Sequence, residues 1–352
     1  MKNIFIGVDF SKKTFDVTML KEYDDRNEVL GYSQFGNNKK GYQNFYRWAR
    51  DTAPKGSKSN WLICGETTGI YSEGLAEWSY YKGLDVWIEN AYSIKHSLGL
   101  ARGKNDKLDS FRIATYAQEK KRKAHLFKPL EGTLKKLKVL LRRRQNLDTC
   151  RKAMLNAVSE DKEMYGDDDA IKDIYDKIEA IAAELKEVED EIQDSMDIMA
   201  ISSEKLSKNY SIVRSAKGIG TINGIAFLVY TNNFTKYKNA NQMATAWGVA
   251  PFKKESGTSI HVPGHVSYYC NHWLKGLLSC AITRAIQCDK KLGSYYNRLI
   301  EKGKHKGVAL NNVKNKMIHV VFTMVKNQTV FDANYDVNKN DNKQKENAKV
   351  LN

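Results

Sequence analysis

Ile4-Phe5-Ile6-Gly7-Val8-Asp9 is an apolar run that ends on an acid, and its reading decides the fold of the first third of the chain. Six residues are too few for an amphipathic helix and suit a buried strand whose last residue reaches a sheet edge. Working outward, residues 14–20 and 28–35 read as two further strands joined by short polar turns. Gly41 to Ala53 then sets Tyr42, Phe45 and Trp48 on one side, as an amphipathic helix does. Trp61-Leu62-Ile63-Cys64 is a fourth strand, ending at Gly65-Glu66-Thr67-Thr68-Gly69. Tyr71 to Gly83 reads as helix, Leu84 to Ile88 as strand and Lys107 to Gln118 as helix.

The order βββαβαβα is that of the ribonuclease H-like fold, an α/β unit with a mixed sheet and helices on its faces. In that topology the first and fourth strands are neighbours. Asp9 ends one, Glu66 lies just beyond the other, and Asp106 and Asp109 stand three apart on one helix face, so the four carboxylates converge at one edge. Such a cluster is unfavourable unless cations neutralise it. Mg²⁺ takes carboxylate oxygens and water, and paired ions about 3.5–4 Å apart clamp the attacking and leaving oxygens of a phosphodiester. The pattern therefore predicts phosphoryl transfer with Mg²⁺ as cofactor. Singly, each acid has a plainer reading: a strand-end Asp is a turn residue, and Asp106 is a helix cap. Gly7-Val8-Asp9 followed by Val17 also suits the phosphate loop of a sugar kinase or actin-like ATPase. No second glycine-rich, Asp-containing strand follows it, and such an ATPase gives the neighbouring basic block no role.

That basic block is part of a general excess. Across 352 residues, 57 Lys and Arg stand against 41 Asp and Glu, for a net charge of +16, which points to a polyanionic partner with nucleic acid first. With 41% hydrophobic and 11% aromatic residues, wholesale disorder is excluded. The chain has no apolar run near the roughly 18 residues of a membrane span, and its start reads as a strand rather than a signal peptide, so the expected compartment is the cytoplasm. Five cysteines without CxxC spacing exclude a disulfide framework or an ordinary zinc site.

Charge also divides the chain. Residues 95–152 carry 18 cations against 5 anions, residues 159–194 carry 4 against 15, and residues 201–335 carry 19 against 5. The expected domains are 1–125 (catalytic), 126–200 (helical connector) and 201–335 (mainly helical), with a disordered tail at 336–352. In the acidic block, Ile171, Ile174, Ile178, Ile181, Leu185, Val188 and Ile192 form a heptad seam. Leu140, Leu147 and Met154 recur every seven residues upstream, beside Arg142, Arg143 and Arg144, and Gly166-Asp167-Asp168-Asp169 separates the two stretches. The expectation is a helical hairpin or a dimerising coiled coil about 40 Å long. A seam does not name its partner.

Farther on, Lys217-Gly218-Ile219-Gly220 resembles the turn of a helix-hairpin-helix, where glycines let helix N–H groups approach a phosphate and Lys217 adds a charge. A plain helix–helix turn is the alternative. Asn239 to Gly248 reads as helix, leading into Ala250-Pro251-Phe252-Lys253-Lys254-Glu255-Ser256-Gly257-Thr258-Ser259. His261, His265, Cys270 and His272 match no familiar zinc spacing, and Pro263-Gly264 suggests a hairpin turn. Tyr268, Tyr269 and Trp273 suit either base stacking or a core. Lys104, Arg142, Arg143, Arg144, Lys217, Gly218, Gly220, Lys253 and Lys254 are the candidate nucleic-acid contacts.

Gly7-Val8-Asp9-Phe10-Ser11-Lys12, Gly65-Glu66-Thr67-Thr68-Gly69 and Lys104-Asn105-Asp106-Lys107-Leu108-Asp109 resemble, in order, the Asp-Glu-Asp-Asp blocks of the insertion-sequence-110 family of transposases, which includes pilin gene invertases. Gly218-Ile219-Gly220 and Ala250-Pro251 with Ser256-Gly257 resemble its second domain, so the likeness spans roughly residues 1–335. It implies a recombinase with a RuvC-like domain, a coiled-coil connector and a transposase domain whose nucleophile is Ser256, Ser259 being the neighbouring alternative. It further implies a bridge RNA pairing with donor and target DNA, and a homodimer assembling to a tetramer in which one subunit's serine meets another's carboxylates. Where the family commonly has Ile-Ser-Lys-Arg-Gly-Asn, this chain has Val266-Ser267-Tyr268-Tyr269-Cys270-Asn271 and so lacks two cations. A RuvC-like nuclease that hydrolyses junctions with water, and a noncatalytic RNA-binding protein, are the competing readings.

Overall fold

The computed structural model describes residues 2–97, 105–130, 132–166, 169–256, 260–266 and 270–332, with the backbone alone for 252–265. The chain divides into two compact units, 1–129 and 130–352. The first is built on a five-stranded mixed sheet. β1 (Ile4–Phe10), β2 (Thr14–Glu22) and β3 (Asn27–Gly36) form an antiparallel meander, while β4 (Trp61–Glu66) and β5 (Val86–Glu89) run parallel to β1. The order is β3-β2-β1-β4-β5, so β1 and β4 are neighbours as the sequence predicts.

Period-two alternation divides the side chains between two faces. Ile4, Ile6, Val8, Phe15, Val17, Met19, Trp61 and Ile63 pack with Tyr42, Phe45 and Ala49 of α1 (Lys39–Thr52) and Leu75 and Ala76 of α2 (Ile70–Tyr81). On the other face Phe5, Leu20, Leu62, Cys64 and Trp87 pack with Ile94 of α3 (Ala91–Ser97) and with Ile113, Ala114, Tyr116 and Ala117 of α4 (Asp106–Lys120). The approach of α4 to β1 is unusually close at Gly7. A Cβ there would lie 2.1 Å from the Ser110 carbonyl oxygen and 2.3 Å from the Ala114 nitrogen. Beside it the buried Thr18 and Ser110 hydroxyls bond at 2.8 Å.

In the second unit, α5 (Gly132–Tyr165) and α6 (Asp169–Ser202) are each 34 residues, about 51 Å at 1.5 Å per residue, and fold against one another as a hairpin. They are longer than the 40 Å expected because helix continues on both sides of the apolar seam. The seam's partner in this chain is α5: Ile171 and Ile178 pack with Val158 toward the tip, while Val188 and Ile192 join Leu134, Leu137, Leu140 and Leu141 at the root. That root shares one apolar core with α7 (Glu204–Ser215), α8 (Thr221–Tyr230), α9 (Ala240–Ala246), α10 (His272–Cys288) and α12 (Lys306–Asn327), with Leu292 of α11 (Lys290–Glu301) also in it. A small antiparallel pair, β6 (Pro251–Ser256) and β7 (Ile260–Val266), interrupts the helices. Ser256 pairs with Ile260, so the strands do not reverse at Pro263-Gly264. Those two residues lie inside β7, facing an irregularity between Phe252 and Lys254 in a two-stranded ribbon, where a proline costs few ladder bonds. The tail 336–352 lies outside the described residues.

Because the Gly7 contact leaves no room for a methyl group, Gly7→Ala is expected to push α4 off β1. A loss of about 1–3 kcal/mol in denaturant unfolding is anticipated, as for overpacked cores. Gly220→Ala, where a Cβ meets nothing within 4 Å, serves as the comparison.

Candidate active site

Alternation along the strands selects the side chains that face α4. On β1 these are Phe5, Gly7 and Asp9, on β4 Leu62, Cys64 and Glu66, on β2 Asp16, Thr18 and Leu20, and on β5 Trp87 and Glu89. The parallel register runs through Val8 opposite Gly65, so Asp9 and Glu66 follow on adjacent strands. Gly65 permits this approach, since a Cβ there would stand 2.4 Å from the Phe10 ring. Helix α4 brings Asp106 and Asp109 in its first turn. The cap of that helix is Asn105, whose side chain accepts the Leu108 N–H at 2.7 Å, so Asp106 does not serve as the cap.

The four acids are electrostatically one site. Asp9 is raised to about 6 by burial first, then by the charges of Glu66, Asp109, Asp106 and Asp16. Asp109 is held by Arg112 at 2.9 Å, one turn along α4. Among the described residues no three ligating side chains are drawn close enough to grip a metal ion. The chemistry of the donors nonetheless fits a hard divalent cation, which takes carboxylate oxygens and relieves the repulsion felt at Asp9.

Sequence reasoning missed two further acids on this face. Asp16 is the cross-strand partner of Asp9 and only 4% exposed. Its oxygens accept bonds from the Tyr32 hydroxyl and, at 3.0 Å, from the Gln34 amide. The Tyr32 phenol is pushed up to about 12, chiefly by that bond, and Lys107 of α4 lies 5.4 Å from its ring centre. Glu89 pairs in register with Glu66 and accepts from the Tyr116 hydroxyl at 3.3 Å. Burial, then Glu89 and Glu66, raises the Cys64 thiol well above its ordinary value, so it is an inert core group. The parity of Asp16 with Thr18 and Leu20 is the sequence signal that would have found it.

The candidate cations divide by environment. Arg143 bonds Glu184 at 2.8 Å and Glu191 at 3.2 Å, and Arg144 bonds Glu189 at 2.7 Å, so both link the two long helices, whereas Arg142, exposed like Arg143, has no ion pair among the described residues. Lys217 is exposed and reaches the Cys288 carbonyl at 3.4 Å. The two glycines beside it differ in purpose. Gly218, at φ +90°, packs where a Cβ would lie 2.5 Å from the Ala281 carbonyl oxygen, while Gly220 precedes α8 with open space around it. Trp273 packs against Tyr230 at 5.6 Å, on the edge of the core. Ser256 ends β6 opposite Ile260. Its side chain, those of Lys253 and Lys254, and residues Lys104, Ser259, Tyr268 and Tyr269 lie outside the description.

Two tests follow from these charges. A folded-state pKa raised above the unfolded value means that the native state binds the extra proton. Asp9 therefore disfavours folding above about pH 6, and that penalty fades as pH falls toward the ordinary carboxylate range. Thermal melting of metal-free protein should show Asp9→Asn more stable than the parent at pH 7.5, by a margin that shrinks at pH 4.5. Added Mg²⁺ should raise the parent's melting temperature and leave Asp9→Asn unmoved. For the cations, Arg142→Glu is expected to weaken DNA binding several-fold with an unchanged melting temperature. Arg143→Glu should instead be rescued by Glu184→Arg, which electrophoretic mobility and melting curves would separate.

The chain is similar to known transposases and a pilin gene invertase. Residues 6–160 match an IS110-type Asp-Glu-Asp-Asp family model described as a transposase, and residues 210–297 match that of the transposase IS116/IS110/IS902 family. Pilin gene-inverting proteins of Moraxella bovis and Moraxella lacunata are each 24% identical over 339 residues, covering 94% of this chain and 98% of theirs. An insertion element IS110 protein of 43.6 kDa from Streptomyces coelicolor is 29% identical over 122 residues, covering 35% of this chain and 30% of its own.

Proposed function

Because this chain belongs to the IS110 family of transposases, we propose that its DNA recombination proceeds by Mg²⁺-dependent strand cleavage and rejoining through a serine–DNA ester, guided by a bridge RNA. The first unit is read as a ribonuclease H-like, RuvC-like catalytic domain, residues 126–200 as a coiled-coil connector, and 201–335 as the transposase domain. The observation that carries the reading is the placement of Asp9 and Glu66 on neighbouring parallel strands beside Asp106 and Asp109 of α4, where burial and the charges of the other acids raise the Asp9 carboxyl to about 6. That repulsion is a cost in the free protein and a source of affinity for a divalent cation.

Asp9, Glu66, Asp106 and Asp109 would hold the metal. When bound, Mg²⁺ supplies positive charge to the phosphate oxygens as the phosphorus becomes five-coordinate. The residues do the remainder. Asp9 and Glu66 are fixed by neighbouring strands, so their spacing is set by the sheet rather than by a loop. Arg112 orients Asp109, and the Tyr32 and Gln34 bonds keep Asp16 turned toward β3.

In the cleavage step the Ser256 oxygen forms a bond to phosphorus and gives up its proton, the phosphorus–sugar oxygen bond breaks, and the departing oxygen takes a proton. The phosphoserine ester conserves the phosphodiester's energy, so rejoining is the same step reversed. Two relatives are named for inverting a pilin gene. Inversion requires rejoining, which favours this course over hydrolysis by water. The basic excess of residues 201–335 suits donor DNA, target DNA and the RNA alike. A homodimer assembling to a tetramer, with serine and carboxylates from different subunits, completes the proposal.

Reactions with element-end DNA and its flanking RNA, stopped in denaturant, test it. The parent should yield a protease-sensitive DNA adduct and rejoined products. Ser256→Ala should yield neither, and Asp9→Asn should lower both by more than about 100-fold, beyond the loss of a mere outer-shell partner. Ser259→Ala is the necessary control. An adduct that persists in Ser256→Ala and vanishes in Ser259→Ala moves the nucleophile by three residues, and unimpaired cleavage without an adduct in both leaves metal-activated water as the nucleophile.

A further inference from the structure

The second unit contains a polar cluster that neither the carboxylates nor the proposed serine employs. Lys314 of α12 is 8% exposed, and among the described residues no acid pairs with it. Burial lowers its pKa, and the charge of Lys275 on α10 lowers it further, while Cys280 acts weakly in the opposite sense. On the same stretch of α12 the side-chain carbonyl oxygens of Asn311 and Asn315 are buried without a partner among the described residues. The Asn311 amide donates to the Val249 carbonyl at 2.9 Å, two residues before β6 begins. A Cβ on the adjoining Gly248 would come within 3.6 Å of Lys275 Cδ and 2.3 Å of Cys270 Sγ. Elements α9, α10 and α12 thus gather these groups at the foot of the β6–β7 hairpin.

Two neighbouring ammonium groups, one of them buried, destabilise a fold that gains nothing from them. An anion between them reverses the sign of that term. The Asn311 and Asn315 amide oxygens, without partners among the described residues, make the same stretch of α12 polar and unsatisfied. We infer that Lys275 and Lys314, beside Asn311 and Asn315, form a phosphodiester-binding site that seats a nucleic-acid strand at the foot of the β6–β7 hairpin, whose first strand ends at Ser256. The inference rests on the reading of the chain as a nucleic-acid recombinase. It assigns to the unit two cations that charge runs do not single out.

The test uses the full chain. Lys314→Met and Lys275→Gln are compared with Lys326→Met, which removes an exposed cation from the same helix. Binding is read by fluorescence anisotropy, over a salt series, with a short labelled DNA duplex and a single-stranded RNA of matching sequence. Each site variant should lose about tenfold in affinity, the worth of one charge-assisted hydrogen bond. The slope of log K against log salt should flatten by about 0.9 for duplex DNA or about 0.7 for the single strand. Lys326→Met should change both less. Lys314→Met removes a buried charge, so its melting temperature should hold or rise, and Lys275→Gln carries the test should that variant misfold. A loss confined to one nucleic acid identifies the strand bound. Parent-like affinity and slope in both site variants overturn the inference, and so does competition by inorganic phosphate that is equal in parent and variants. A parent chain that binds neither probe overturns the functional reading, and this site with it.

Discussion

The contact between α4 and β1 at Gly7 is the constraint on which the first unit depends. A backbone-to-backbone approach, with the Ser110 carbonyl and Ala114 nitrogen where a side chain would otherwise stand, fixes the height of the helix above the sheet. The Thr18–Ser110 hydroxyl bond fixes its position along the strands. Everything at the carboxylate edge follows from those two restraints. Asp9 is two residues beyond Gly7 on the same face, and Asp109 is one residue before Ser110. A looser helix would leave Asp106 and Asp109 as surface acids with no bearing on Asp9.

The same geometry makes the free site electrostatically unfavourable. Glu66, Asp109, Asp106 and Asp16 act on Asp9 across a partly desolvated edge, and Asp109 and Asp16 each have local support. Arg112 offsets Asp109, and Tyr32 with Gln34 satisfies Asp16. Asp9 receives no such support from a cation among the described residues, which accounts for its shift falling in the direction of the neutral acid. Sites that must recruit a charged ligand store this kind of strain, and neutralising it contributes to affinity.

The long helices show a different logic. Their apolar seam is satisfied within the chain, and opposite charge on α5 and α6 sets the register of that packing through Arg143 and Arg144. Exposed ion pairs of this sort are worth little individually, so their contribution is to alignment more than to stability. At the root of the hairpin the seam passes directly into the core of the helical unit. A tilt of the hairpin is therefore coupled to the packing of α7 and α8.

Much of this protein was legible without a structure. Short apolar runs ending on Asp9 and Glu66, the acid pair at Asp106 and Asp109, and the seam from Ile171 to Ile192 are local patterns, and local patterns follow from strand and helix periods that sequence displays directly. Net charge by segment is equally plain. What the tertiary structure decided are the pairings between distant residues. That Asp16 faces Asp9, that Asn105 rather than Asp106 caps α4, that Arg143 and Arg144 are engaged by glutamates some 40 to 50 residues away, and that Lys314 is buried beside Lys275 all depend on register and packing. A residue's type and spacing state what it is able to bind. Only the folded chain determines which groups come close enough, in a medium of low enough dielectric, for that ability to have an energy.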